Sequence, residues 1–251
     1  MKMSTHKPVL VIKIGTHALL GKHEIPRTIF DAVARDITSL TSHYRIILVT
    51  SGAIGFGVRA LKLESRPEGM SQLQALAMIG QTGLLRHWRE AFGHTPIGQV
   101  LVTRHDLAAL DAAQTLWGSI EAVWAYGAIP VVNENDAVSY DEISFGDNDQ
   151  LAAEIASAVH ASHLILLTDQ DGIQSDFGTD HQRRIDVVNV NDIDRHIAPT
   201  KSDLGKGGFA SKVVAATLAL AAEVDVYVGR IDETRGIADI LSGKSGTRIV
   251  Q

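Results

Sequence analysis

The sequence predicts an α/β protein, a three-layer αβα sandwich around a mostly parallel central sheet. Three observations carry that expectation. Short apolar runs rich in Val, Ile and Leu recur along the chain, as strands buried on both faces require. Longer segments with helical spacing separate them, and such alternation implies crossover connections between parallel strands. The composition agrees: 45% of the 251 residues are hydrophobic, only 5% are aromatic, and Gly occurs 22 times.

The strands are expected over 8–14, 45–49, 97–102, 129–132, 164–167 and 225–228. Each is short and flanked by turn residues, which favours strand over helix fragment. Helices are expected over 26–40, 70–92, 111–126, 148–159 and 209–222. The first of them repeats apolar residues at Ile29, Val33, Ile37 and Leu40. Ser71 is the expected N-cap of the second. Residues 137–145, "AVSYDEISF", alternate between turn-rich stretches and read as an exposed hairpin. Residues 171–186 are polar and Gly/Asp-rich, and read as a loop or small hairpin. No repeat or low-complexity linker divides the chain, so one domain is expected.

Several function classes fall away. Net charge is -6, no run of five like charges occurs, and aromatics are too few for a base-stacking platform, so no nucleic-acid partner is expected. There is no cysteine, which removes disulfides, thiolate metal sites and a thiol nucleophile. Lys13 breaks the N-terminal apolar run, and no stretch of eighteen apolar residues exists. No membrane association and a cytoplasmic location are the expectation.

In a parallel sheet, ligands collect beyond the carboxyl ends of the strands. Four successive strand ends here carry Gly, Ser/Thr and Asn/Asp: "KIGTHALLG", "TSGAIGFG", "NENDAV" and "TDQDGI". Turn chemistry alone accounts for any one of them; four in register argue for a shared site. Lys13 interrupts a buried strand just before Gly15, a position that is costly unless an anion meets it. The bland alternative is a lysine snorkelling from an edge strand. Gly52, Gly55 and Gly57 allow close backbone approach, and a helix starting there would offer N–H groups to an anion. "DLGKGGFASK", 203–212, has the composition of a phosphate cradle ahead of a helix, with Lys206 and Lys212 as point charges. It is not a Walker loop, and without a preceding strand its G-x-G-x-x-A order lacks the dinucleotide-binding context. Two readings stand at this point: a phosphotransferase using ATP and a small polar acceptor, and a noncatalytic small-molecule sensor.

"VIKIGT", "VTSGAIGFG", "PVVNENDAV", "FGDNDQLAA", "LLTDQDGI" and "GKGGFASKVVAA", in that order, resemble the glutamate 5-kinase branch of the amino acid kinase family. The likeness runs from Val9 to about Val250. It implies the same αβα fold and transfer of the ATP γ-phosphoryl group, with Mg²⁺ carried on the nucleotide phosphates, to the side-chain carboxylate of L-glutamate, the first step of proline synthesis. It assigns Lys13 and Lys212 to the phosphates and Asp149 to orienting the two lysines. It assigns Ser51, Gly52, Ala53, Asn133, Asp136, Asp147 and Asn148 to the acceptor. Thr168, Asp169 and the segment Lys206, Gly207, Gly208, Phe209, Ala210 and Ser211 fall to the nucleotide.

The resemblance also implies a single kinase domain over 1–251, with the part to about 160 binding the acceptor and the remainder the nucleotide. The C-terminal PUA domain of many members is expected to be absent. A homo-oligomer (dimer or tetramer), proline as feedback inhibitor, and hand-off of the acyl phosphate to glutamate-5-semialdehyde dehydrogenase are implied as partners. A related kinase acting on another small carboxylate is the enzyme alternative. The chain departs from the family's usual pattern at Lys206, "FASK", Asp111, Gln174 and Phe177, positions that cluster around the nucleotide.

Overall fold

The computed structural model describes residues 7–21, 25–139, 147–176, 179–195, 203–232 and 234–251; for 147, 194–195 and 203–208 it describes the backbone alone. Its centre is an eight-stranded sheet. In chain order the strands are β1 (Val9–Ile14), β2 (Arg45–Val49), β3 (Ile97–Val102), β4 (Ile129–Glu134), β5 (His163–Leu167), β6 (Gln174–Ser175), β7 (Arg183–Arg184), β8 (Val187–Asn189), β9 (Asp225–Gly229) and β10 (Thr247–Val250). The sheet order is β3-β4-β2-β1-β5-β9-β10-β8. From β3 to β9 every pairing is parallel; β10 runs antiparallel to β9 and parallel to β8. The expected mostly parallel sheet is thus present. β6 and β7 form a separate antiparallel pair within the expected 171–186 excursion.

The helices are α1 (Thr16–Leu19), α2 (Arg27–Leu40), α3 (Ala53–Ala60), α4 (Met70–Phe92), α5 (Arg104–Ala108), α6 (Leu110–Ala125), α7 (Asp147–Ala158), α8 (Asp203–Ala221) and α9 (Ile237–Leu241). Two apolar layers sandwich the sheet. Leu10, Ile12 and Ile14 of β1 pack with Phe30, Val33 and Ile37 of α2, Phe56 of α3, Leu84 and Trp88 of α4, and Ile240 of α9. Val9 and Val11 of the same strand pack on the other face with Leu151, Ala152 and Ile155 of α7 and Ala215 and Ala219 of α8. The two-residue alternation of a strand makes this division. It also puts Lys13, next in the Val9–Val11 series, on the α7 and α8 face.

Two expectations about helix starts change. Ser71 is not the N-cap of α4: the helix begins at Met70, with Gly69 in the cap position and no side-chain cap bond. α8 begins at Asp203, not at 209, so the glycine-rich segment is the first turns of the helix and not a loop ahead of it. Gly carries a helix cost, but the apolar face further along, anchored by Ala215 and Ala219, offsets it. The expected hairpin at 137–145 lies outside the described residues beyond Ser139; Asp136–Val138 form a turn directly after β4.

α3 and α4 pack closer than side chains would permit, and two glycines make that possible. A methyl group on Gly80 would run into the Ala53 carbonyl and the Gly57 amide, and one on Gly57 into the Leu76 backbone. The close crossing draws α4 over the ends of β2 and β4, where Gln74 donates to the Ser139 carbonyl at 3.0 Å. Gly80→Ala is therefore expected to force the helices apart and lower stability by about 1–3 kcal/mol. Urea unfolding checks this; an unchanged midpoint would show that the crossing tolerates a methyl.

Candidate active site

The parallel strands β4, β2, β1, β5 and β9 present their carboxyl ends on one side of the sheet, and the polar loops gather there. In sheet order the edge reads Asn133 from β4, Thr50 and Ser51 after β2, Lys13 from β1, and Thr168 and Asp169 after β5. β1 is central, which makes Lys13 the midpoint of this line. Gly52, with φ of 104°, turns the chain from β2 into α3. An L side chain rarely adopts that conformation, so Gly is required there.

Lys13 is 4% exposed and Asp149 is fully buried. The Lys13 Nζ stands 2.5 Å from Asp149 Oδ1. Lys212 Nζ, from α8, donates to Asp149 Oδ2 at 3.0 Å, and the Ser211 hydroxyl donates to the same oxygen at 2.9 Å. Asp149 sits in the first turn of α7, where the helix N-terminus favours a carboxylate. Three elements, β1, α7 and α8, thus converge on one carboxyl group.

Two ammonium groups share this one carboxylate. Burial alone would push the Asp149 carboxyl up, but Lys13 and Lys212 outweigh it and hold the group below the usual aspartate range. Burial pushes the Lys13 amine down; Asp149 opposes this and the neighbouring Lys212 adds to it. An incoming anion would oppose both penalties on Lys13, so the cluster is built to receive negative charge.

Beside it, the amide side chains form a relay. Asn148 Nδ2 donates to the Thr50 carbonyl at 2.6 Å and to Asn133 Oδ1 at 2.8 Å. Asn133 Nδ2 donates to Gln81 Oε1 at 2.9 Å, and Trp88 Nε1 donates to Thr50 Oγ1 at 3.0 Å. Gln81 and Thr50 were not among the residues anticipated from sequence. Gln81 lies inside an apparently ordinary amphipathic helix, and only the α3–α4 crossing brings it to the strand ends.

On the other side of Lys13, the ends of β1, β5 and β9 border a cleft of about 240 Å³. Ile14, Ala18, Thr168, Asp169 and Arg230 are among its lining residues. Thr168 and Asp169, which the family resemblance assigns to the nucleotide, stand one strand from Lys13. Ser51 and Ala53 flank Gly52 at the start of α3, and Asp136 opens the turn after β4. Phe209, Ala210, Ser211 and Lys212 lie inside α8, where backbone N–H groups are used by the helix, so they offer side chains and not a backbone cradle. Gly207 and Gly208 have helical backbone; the side chains of Lys206 and Asp147 lie outside the described residues.

Residues 8–230 match the amino acid kinase family. The chain belongs to that family. Among curated relatives, it is 37% identical over 215 residues to the glutamate 5-kinase of Thermus thermophilus, which covers 84% of this chain and 58% of that protein. It is 34% identical over 246 residues to the glutamate 5-kinase of Clostridium acetobutylicum, covering 93% of this chain and 90% of the relative. The chain therefore spans less than two thirds of the Thermus protein but most of the Clostridium one. Among solved structures, carbamate kinase from Giardia lamblia bound to AMP-PNP superposes with a TM-score of 0.67 at 16% identity, over 97% of this chain and 98% of that one. UMP kinase from Ureaplasma parvum gives 0.65 at 15% identity, over 98% and 100%. The expected fold, that of the amino acid kinases, is confirmed by these likenesses.

The lysine pair gives this family member a testable dependence on Asp149. Asp149→Asn removes the counter-charge that buried Lys13 and partly buried Lys212 share, and an expected loss of about 3–5 kcal/mol follows. The sign with pH is set by a lowered carboxyl: the stabilisation is present above the ordinary aspartate range, about 4, and is lost as pH falls through the lower folded-state value. Thermal unfolding across acid pH should show wild type losing this increment while Asp149→Asn lacks it throughout. Equal melting temperatures at neutral pH would contradict the account.

Proposed function

We propose that this chain phosphorylates the side-chain carboxylate of L-glutamate from ATP, giving L-glutamyl 5-phosphate, the first step of proline biosynthesis. The observation that carries the reading is the buried cluster in which Lys13 and Lys212 share Asp149 at the centre of the strand-end line. The 37% and 34% identical relatives named glutamate 5-kinase support the choice of acceptor.

The chemistry needs little more than this cluster and the amides beside it. A carboxylate with an ordinary pKa of about 4.3 is ionised at neutral pH, so no general base is required. Its oxygen bonds to the γ-phosphorus as the bond from that phosphorus to the β,γ-bridging oxygen breaks, and ADP leaves with the electron pair. Bound ATP supplies the phosphoryl group, and Mg²⁺ on its phosphates neutralises part of their charge. The protein's task is to hold two anions in line and stabilise charge on the moving group. Lys13 and Lys212 do this, and Asp149 orients both ammonium groups. Asn148 and Asp136, with Ser51 at the α3 turn, hold the ammonium and carboxylate of the amino acid, with Gly52, Ala53, Asn133 and Asp147 shaping that subsite. Thr168 and Asp169 border the nucleotide, with Lys206 to Ser211 on its far side.

In this reading 1–251 work as one kinase domain, acceptor-binding to about residue 160 and nucleotide-binding beyond. A cytoplasmic location is part of it, and no described helix is long and apolar enough to cross a membrane. Assembly as a dimer or tetramer, inhibition by proline, and hand-off of the labile acyl phosphate to a glutamate-5-semialdehyde dehydrogenase rest on family resemblance alone.

Trapping the acyl phosphate with hydroxylamine, with ATP, Mg²⁺ and a panel of amino acids, tests the reaction. Product with glutamate is expected; product with a different carboxylate would reassign the acceptor, and none with any would return the fold to a sensor. Lys212→Ala should lower kcat by about a hundredfold to a thousandfold, with a much smaller effect on the KM for glutamate. Normal turnover would remove Lys212 from the reaction. Asp136→Ala should instead act on the KM for glutamate, which steady-state kinetics reads directly; an unchanged KM would move the acceptor elsewhere.

A further inference from the structure

We propose that Gln81, on α4, is a positioning residue: it locks the Asn133 amide, which together with the Thr50 carbonyl holds the Asn148 side-chain amide with its oxygen toward the acceptor, so that this subsite selects an amine over an anion. The proposal rests on the reading above, in which Asn148 meets the amino-acid acceptor.

The direction of the amide relay is forced from its anchored end. The Thr50 carbonyl belongs to the main chain and can only accept. It is held in place on every side: the Thr50 N–H donates to the Val132 carbonyl at 2.8 Å, Thr50 Oγ1 accepts from Trp88, and the residue is fully buried. The Asn148 atom 2.6 Å from that carbonyl must therefore be Nδ2. Its second hydrogen goes to the Asn133 side chain at 2.8 Å, so the Asn133 atom there must be Oδ1. Asn133 Nδ2 is thereby turned toward Gln81 at 2.9 Å, and only an acceptor can meet it. Gln81 Oε1 is that acceptor. Asn133 is 2% exposed, so water is no ready substitute for it.

The consequence lies at the other end. With both hydrogens of Asn148 Nδ2 spent inside the relay, Oδ1 is the part of the amide left for a ligand. It accepts from an ammonium group and opposes a carboxylate. Remove the Gln81 acceptor, and the Asn133 amide is free to turn over. Its Nδ2 would then face the Nδ2 of Asn148, donor against donor, and the Asn148 orientation rests on the Thr50 carbonyl alone, opposed by its neighbour. Gln81 follows Gly80, one of the two glycines at which α3 and α4 cross closely.

Two variants separate positioning from packing. Gln81→Met keeps length but has no strong acceptor; Gln81→Glu keeps an acceptor oxygen. Gln81→Met is expected to raise the KM for glutamate about tenfold, the size of one buried donor left unpaired. Its kcat and its KM for ATP should stay within about twofold of wild type, and Gln81→Glu should restore the KM. Glutarate, which has no amine, should not feel the change, so the preference for glutamate over glutarate in kcat/KM should fall about tenfold. An unchanged KM in Gln81→Met, or a loss that Gln81→Glu fails to rescue, overturns the proposal.

Wild-type protein that makes no acyl phosphate from glutamate would refute the reaction, not the relay. The relay has its own readout in ligand-free protein: exchange of the Asn148 side-chain amide protons, assigned by their disappearance in Asn148→Asp. Slow exchange in wild type and in Gln81→Glu, with fast exchange in Gln81→Met, is expected. Fast exchange in wild type overturns the relay whatever the substrate.

Discussion

The rest of the structure is organised around one fully buried carboxylate, Asp149, held between two ammonium groups. Burying three charges is costly, and a buried ion pair is weak evidence for stability. The fold nevertheless brings them together from three elements that share no local sequence. β1 delivers Lys13 through strand alternation, α7 delivers Asp149 through its first turn, and α8 delivers Lys212 after its apolar face has docked on α7. Removing Asp149 strips both lysines of the carboxylate they share. An arrangement that is poor for stability alone makes sense as preorganised electrostatics, ready for negative charge before it arrives.

The parallel sheet explains why the cluster has neighbours on both sides. The parallel strands β4, β2, β1, β5 and β9 end at the same edge, so one line of loops meets the ligand. β1 lies between β2 and β5, which divides that line into two halves. On the β2 and β4 side stand amides and the Gly52 turn. On the β5 and β9 side stands a cleft bordered by Thr168, Asp169 and Arg230. Lys13 stands where the two halves meet. That geometry suits the proposed transfer between two ligands better than a sensor of one ligand.

Much of this was legible in the sequence, and the exceptions have physical causes. All six central strands were foreseen because buried parallel strands read as unbroken apolar runs. Lys13 stood out because it violates such a run. β8 and β10 were missed: they are three and four residues long, and their pairing is with each other and with β9, so no local pattern betrays them. The start of α8 was misread because three glycines in six residues look like a loop, whereas packing against α7 carries the helix through them. The lysine pair could be suspected from composition, yet that both meet Asp149 is a tertiary fact. Gln81 had no sequence signal at all, since its role depends on how closely two helices cross.

That crossing links the two halves of the account. A glycine in the middle of a helix ordinarily costs stability relative to alanine. α3 and α4 accept that cost at Gly57 and Gly80, where backbone meets backbone. The return is positional: with no Cβ between them, α4 lies near enough to the sheet edge for Gln81 to cap the Asn133 amide. From there the order runs without a gap through Asn133 and Asn148 to the Thr50 carbonyl, and Asn148 adjoins Asp149 in the chain. One turn of α7 therefore serves both halves of the site, its amide turned toward β2 and β4 and its carboxylate toward the lysines. In the proposed reaction a shift of that turn would disturb acceptor binding and phosphoryl transfer together, and the turn is pinned by main-chain, amide and ionic contacts at once.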